Sequence, residues 1–265
     1  MSNPHATPDP IAIFQQALLA GAADLAISLT PAHLDLFSRH YSLLLQHRTH
    51  RLTTITDPVG VAIKHFLDSL TPLLLRDILP AERVADIGAG AGFPGLPLAV
   101  ACPHASYTLI ESNQRRAAFL REAAAALGCA NVTVIADRAE TIGRDAPIPP
   151  LQTWRGGQGV RQANHRETYD LVVARALAPL PVLLEYCLPL LRIGGDCLAL
   201  KGAAGERDLA HSHRALSTLG GHLAATRSLT LPQQAGHRFL ILIRKAVATP
   251  SRYPRRPGLP SKRPL

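Results

Sequence analysis

Aromatic residues make up only 5% of this 265-residue chain, with a single tryptophan and five tyrosines. A row of rings on which unpaired bases stack is hard to build from so few, which disfavours that kind of nucleic-acid surface. Cysteine is also scarce. Cys102, Cys129, Cys187 and Cys197 include no C-x-x-C pair, and each lies in an apolar or helical context. That pattern argues against zinc or disulfides and for buried thiols in a reducing compartment. No apolar run reaches bilayer length; Ala17 to Leu29 is short and is interrupted by Asp24, so it reads as a packed helix. Met1 to Pro10 shows no basic stretch followed by an apolar core, so no signal peptide is expected. The expectation is a cytoplasmic protein without membrane association, metal or obligate protein partner, and a monomer.

Acidic residues are outnumbered 19 to 28 by Lys and Arg, giving a formal charge of +9. Such an excess favours an anionic partner, and it is unevenly placed. Arg39, Arg48 and Arg51 cluster with His40, His47 and His50, while Arg252, Arg255, Arg256, Lys262 and Arg263 crowd a C-terminal stretch that contains no acid. Either cluster alone reads equally well as a solvated face. Two of them flanking a nucleotide-type core favour nucleic acid. The segment from Arg252 to Leu265 has several prolines and no apolar periodicity, so it is expected to add little core and to meet phosphates.

Glycine is concentrated where it matters. The stretch Val84-Ala85-Asp86-Ile87 has strand length, breaks into Gly88, Gly90 and Gly92, and resumes after Phe93-Pro94 as Gly95-Leu96-Pro97-Leu98. Strand, tight turn and helix follow one another, with glycine where positive φ or a touching ligand excludes a Cβ. A dinucleotide fingerprint requires G-x-G-x-x-G and uses helix N–H groups to hold pyrophosphate. Here the spacing is G-x-G-x-G, Phe93 stands at the sixth position, and Pro94 removes a donor. S-adenosylmethionine, which carries no phosphate, suits this turn better. Tyr107 to Ile110 reads as the second strand, and Glu111 ends it where an acid would accept from ribose hydroxyls; Ser112 adjoins it.

Along the chain, Ile11 to Leu29 and Ala32 to Gln46 show helical spacing. Val59 to Leu70 is a third helix with Ile63, Phe66, Leu67 and Leu70 on one side, so Lys64, His65, Asp68 and Ser69 share the other. That polar side is either a wet face or a wall over a ligand. After the glycine turn, strands and helices alternate, which predicts a doubly wound, mostly parallel α/β sheet of Rossmann-like type with seven strands. Asp137 to Glu140 follow the third strand, Arg175 stands at the mouth of the fourth, Pro181 to Arg192 and Glu206 to Leu219 read as helices, and the last two strands form an antiparallel hairpin. The division expected is a helical extension over 1–58, a Rossmann-like domain over 59–248 and a basic tail over 249–265. Residues 146–167, around Trp154-Arg155-Gly156-Gly157, fit neither strand nor helix and read as a disordered insert or a functional lid.

Several of these motifs together resemble the RsmG (GidB) family of bacterial small-subunit ribosomal RNA methyltransferases. They are Asp86 to Gly95, Lys64 to Leu70, Arg138-Ala139-Glu140, Arg175-Ala176 and Tyr253 to Leu265, in the family's order. Arg51-Leu52-Thr53 departs from the family's Asn-Leu-Thr, and the Trp154 region looks like an insertion. The resemblance implies a class I S-adenosylmethionine-dependent methyltransferase fold and methylation of N7 of guanine 527 in 16S RNA, on free RNA or on the small ribosomal subunit. It further implies that Gly88 and Phe93 line the cofactor turn, that Glu111 holds the ribose, that Ala139 and Glu140 meet the adenine, and that Arg175 faces cofactor or substrate. A structural ion pair of Arg175 with Glu140 or Glu111 is an equal alternative.

Guanine N7 has an exposed lone pair and no proton, so a general base is not required. Lys64, His65, Asp68, Ser69 and Arg175 are then candidates for positioning the guanine rather than for proton transfer. A small-molecule methyltransferase would share the turn without needing the basic clusters. A non-catalytic RNA-binding protein would need the clusters without a competent cofactor pocket.

Overall fold

The computed structural model describes residues 9–47, 52–144 and 165–265. The chain opens with helix α1 (Pro10–Asp24), whose first turn is capped by the Asp9 carboxylate accepting from the Ile11 N–H. Helix α2 (Pro31–Gln46) starts on a reciprocal cap in which Thr30 and His33 each accept from the other's backbone N–H. Next comes a segment of mixed winding: α3 (Pro58–Val61), a π-helical stretch over Ala62–Leu67, and α4 (Asp68–Leu70). Phe14, Phe37, Tyr41 and Phe66 are buried where these three segments meet, with the Phe14 and Tyr41 rings stacked at 4.7 Å.

The rest is one seven-stranded sheet. Its strands are β1 (Arg83–Ile87), β2 (Ser106–Ile110), β3 (Val132–Ile135), β4 (Tyr169–Arg175), β5 (Leu191–Lys201), β6 (Gly221–Thr230) and β7 (His237–Lys245). They lie in the order β3-β2-β1-β4-β5-β7-β6. The first five are parallel, and β7 runs antiparallel between β5 and β6. Helices α5 (Gly95–Ala101), α6 (Gln114–Ala126), α7 (Ala139–Ile142), α8 (Leu180–Cys187), α9 (Gly205–Ala210) and α10 (His213–Leu219) fill the connections. Two apolar layers result, one containing α1, α2, α5 and α6, the other α8 and α10. The strand order reverses between β1 and β4, where open α/β sheets bind ligands beyond the carboxyl ends of their strands.

Some boundaries differ from expectation. Helix α8 ends at Cys187, and a 3-10 turn over Leu188–Leu190 leads directly into β5. Gly194-Gly195 lies inside β5, where the register against β4 jumps from Tyr169↔Leu191 to Leu171↔Asp196. The long helix expected from Glu206 to Leu219 is two, because Ser212 is buried and its Oγ donates back to the Asp208 carbonyl.

The C-terminal stretch overturns the expectation that it adds little core. Tyr253, Pro254 and Pro260 are buried, and Leu259–Lys262 forms a short helix, α11, packed near α8. Arg166 Nη1 donates to the carbonyls of Gly143 and Tyr253, at 3.0 and 2.6 Å, and Nη2 to that of Thr249 at 2.5 Å. Residues 165–167, expected inside the insert, are therefore anchored; His165 pairs with the Tyr169 hydroxyl and Glu167 with buried Lys245. Residues 145–164, with Trp154, lie outside the described residues, as do Arg48, His50 and Arg51.

Candidate active site

The glycine turn leaves β1 with positive φ at Gly88, Gly90 and Gly92 (73°, 58° and 96°), a conformation that side chains resist. A Cβ at Gly88 would come within 2.7 Å of Leu177, and one at Gly92 within 2.5 Å of Leu96. At Gly90 it would meet nothing nearer than the Gly88 carbonyl at 3.7 Å, so the turn is open on that side. The amides are already committed. Gly88 and Ala89 donate to the Ile110 carbonyl, Gly92 and Phe93 to that of Ala89, Gly90 to Glu111 Oε2 and Gly95 to Asp86 Oδ2. A pyrophosphate would find few free donors here and would face the Glu111 carboxylate. The donor set therefore fits a nucleoside without phosphate.

Glu111 is buried at the end of β2, accepting 3.0 Å from the Gly90 N–H and 2.7 Å from the Asn113 N–H. Each carboxylate oxygen keeps one acceptor site, enough for two ribose hydroxyls. Beyond it runs a cleft lined by Gly88, Ile110, Ser112, Ala139, Glu140 and Tyr186, among others. Ala139, the first residue of α7, lies in this lining. Glu140 is buried and its Oε1 accepts 3.0 Å from the Gly258 N–H, so one carboxylate oxygen faces the C-terminal segment. Asp86, under the turn, leaves Oδ1 without a hydrogen-bond partner, and burial pushes its carboxyl up to about 7.

A second pocket, of about 400 Å³, adjoins this cleft along Arg175 to Leu177. Its polar lining comprises Lys64, His65, Asp68, Arg175, Lys201 and Arg238. Asp68 does not lie on a wet helix face; it is 2% exposed and holds two guanidiniums, Arg175 at 3.0 Å and Arg238 at 2.7 Å. Arg175 Nη1 also donates 3.0 Å to the Lys64 carbonyl. Its carboxylate partner is thus Asp68, neither Glu140 nor Glu111. The π-helical stretch lies directly before Asp68, and such widened turns frequently occur at functional sites.

Three of the expected site residues also make contacts within the protein. Ser69 is fully buried, with Oγ donating to the His65 carbonyl. Phe93 lies behind the turn, its ring stacked between His40 and His65 at 4.9 and 4.8 Å. His65 Nε2 pairs with Thr53 Oγ1 at 2.6 Å, while burial, reinforced by Arg175, lowers its pKa to about 4. His40, also buried, is lowered to about 4 and contacts the Ala91 carbonyl. Both rings are neutral props of the turn at pH 7. Of the basic C-terminal residues, Arg255 is committed to buried Glu185, at 2.6 Å, whereas Arg252, Arg256, Lys262 and Arg263 are exposed. Arg39 is exposed on α2.

Sequence reasoning missed Arg238 and the structural use of Arg166 and Arg255. The only available signal was an acid, Glu185, inside the apolar run of α8. Another groove, of about 550 Å³, lies between α9, α10 and β6.

A sheet in this order, with a phosphate-free glycine turn after its first strand and an acid closing its second, defines a Rossmann-like enzyme of the class I methyltransferase fold. A solved protein of Pyrococcus horikoshii, PH0793, has a similar fold, with a TM-score of 0.51 and 15% identity over 72% of this chain and 64% of its own. The chain belongs to the GidB family, described as rRNA small subunit methyltransferase G, whose sequence model matches residues 34–235. Curated relatives carry the name ribosomal RNA small subunit methyltransferase G. That of Limosilactobacillus reuteri is 42% identical over 95% of this chain and 98% of its own. Those of Geobacillus thermodenitrificans and Bacillus subtilis are 40% and 39% identical, covering 90% and 93% of this chain and 94% and 96% of theirs. No helix among the described residues is long and apolar enough to cross a membrane.

Proposed function

We propose that this protein transfers a methyl group from S-adenosylmethionine to N7 of a guanine in small-subunit ribosomal RNA. The observation that carries the reading is the meeting, at the ends of β1 and β4, of a phosphate-free nucleoside cleft with a cationic pocket. Membership of the family supports ribosomal RNA as the substrate. In the cleft, the Gly88–Gly92 turn admits the ligand against backbone, Glu111 accepts from the ribose hydroxyls, and Ser112 and Ala139 flank the base. The sulfonium of the bound cofactor supplies the methyl group and the driving force.

In the adjoining pocket, Asp68 has an arginine on each carboxylate oxygen and serves to fix Arg175 and Arg238 rather than to hold the guanine edge. Their remaining N–H groups, with Lys64, suit phosphate oxygens or guanine O6. No residue has to remove a proton, and one positive charge moves from sulfur to base without any net charge being created. The protein's contribution is alignment, which can lower a bimolecular barrier by about 7–11 kcal/mol. Arg252, Arg256, Lys262 and Arg263 meet phosphates outside the pocket. The test is transfer of tritium from methyl-labelled S-adenosylmethionine to 16S RNA or small subunits, compared with a pool of small metabolites. Label in RNA supports the reading; label only in metabolites overturns it.

A further inference from the structure

The C-terminal segment has two sides, and its outer one carries the exposed cations. Its inner side reaches two residues that line the nucleoside cleft. The Gly258 N–H donates to Glu140 Oε1 at 3.0 Å, across 118 positions of sequence. Ser261 Oγ pairs with the Tyr186 hydroxyl at 2.9 Å. Glu140 and Tyr186 both line the cleft, and both are less than a tenth exposed.

Ahead of these contacts the segment is anchored on α8. Glu185, fully buried, accepts from the Arg255 N–H at 2.8 Å and from its guanidinium at 2.9, 3.1 and 2.6 Å. A buried carboxylate is tolerated only when so paired. Arg144 Nε adds a bond to the Pro254 carbonyl at 3.1 Å, tying the end of α7 to the same segment. Without the segment, the Glu140 carboxylate would lose a fixed donor and Tyr186 its hydroxyl partner, and both could rotate into the cleft.

We infer that Gly258 and Ser261 are positioning residues for the cofactor: the C-terminal segment is the outer brace of the nucleoside cleft, fixing Glu140 and Tyr186 through the Arg255–Glu185 anchor. The inference rests on the reading of that cleft as the S-adenosylmethionine site. It also gives the segment a role beyond the phosphate contacts expected from its sequence.

The test uses calorimetric titration of S-adenosylmethionine into the full chain, into a chain ending at Arg255, and into Ser261→Ala and Ser261→Thr. Ending at Arg255 keeps the Glu185 anchor while removing Gly258 and Ser261. The expected result is a Kd raised roughly tenfold with stoichiometry still near one, the scale of one lost hydrogen bond to a charged group. Ser261→Ala should raise Kd a few-fold, and Ser261→Thr, which keeps the hydroxyl, should restore it. A merely structural role would lower the binding-competent fraction and leave Kd as it is. Wild-type Kd in the shortened chain overturns the brace, and so does unfolding of that chain together with wild-type Kd in Ser261→Ala. Failure of the full chain to bind S-adenosylmethionine overturns the cofactor reading itself, and the brace with it.

Discussion

Replacing Asp68 by alanine removes the carboxylate that Arg175 and Arg238 share. The Asp68 side chain is 2% exposed and those of the arginines 14% and 20%, so two largely buried cations would be left facing each other. Removing one partner from a buried ion pair costs about 3–5 kcal/mol. Both guanidiniums can still turn toward the pocket mouth, which places this variant at the lower end, about 3 kcal/mol. That is within the roughly 5–15 kcal/mol that holds ordinary domains together, so the variant should fold at 25 °C. Urea unfolding measures the loss. Because Glu111 and the glycine turn are untouched, S-adenosylmethionine affinity should stay close to wild type, while methylation at saturating cofactor should drop roughly 10²-fold, the scale of an ångström of misplacement. Arg238→Ala should reproduce most of that drop. A stable, fully active Asp68→Ala protein would refute the organising role. An inactive Asp68→Ala beside a fully active Arg238→Ala would instead return Asp68 to direct contact with the guanine.

Glu111→Ala should weaken S-adenosylmethionine binding by roughly 1.5–3 kcal/mol, the range for hydrogen bonds to a charged group; unchanged affinity by calorimetry, or tighter binding of NAD than of S-adenosylmethionine to the wild type, would count against the cleft. Asp86 gives a pH signature. Its folded pKa is raised from 3.8 to about 7, so its contribution to stability is complete below about 3.8 and is lost as pH rises through about 7. Asp86→Asn should therefore gain on the wild type between pH 4 and 8, by at most about 4 kcal/mol at ~1.4 kcal/mol per pH unit. His40 and His65, lowered to about 4, act in the opposite sense, their contribution being lost as pH falls from 6.5 toward 4, but they cancel in the mutant-minus-wild-type difference; a difference independent of pH would refute the assignment. Replacing Arg252, Arg256, Lys262 and Arg263 by glutamine should flatten the dependence of log K for RNA on log salt by about 0.7–0.9 for each phosphate no longer neutralised, and an unchanged slope would move the RNA-binding surface to Arg39 and its neighbours.

The glycine turn, the acid after β2 and the alternation that builds the sheet were legible because each is a local pattern: strand length, punctuation, then helical spacing. The polar side of Val59 to Leu70 was legible as a helix face but not as buried. Asp68 is held by Arg238, 170 residues away, and no local rule links them. The C-terminal segment was misread for the same reason. Its order comes from main-chain bonds to Arg144, Arg166, Glu140 and Glu185 rather than from an apolar stripe, and scattered residues such as Tyr253, Pro254 and Pro260 show no period. Arg255 looked like its basic neighbours because charge composition does not distinguish a paired arginine from a free one. Glu140 was placed at the right strand end, yet its partner, the Gly258 N–H, is a backbone group with no side-chain signature at all.

Chemical scission of the RNA reads which atom is methylated. An N7-methylated guanine carries a positive charge that makes its ring labile to borohydride and its backbone then cleavable by aniline. Small-subunit RNA incubated with the protein and S-adenosylmethionine should be cut at one guanine and left intact when either is omitted. RNA that takes up the methyl group but resists scission, or that is cut at many guanines, would rule out N7 of a single guanine as the acceptor.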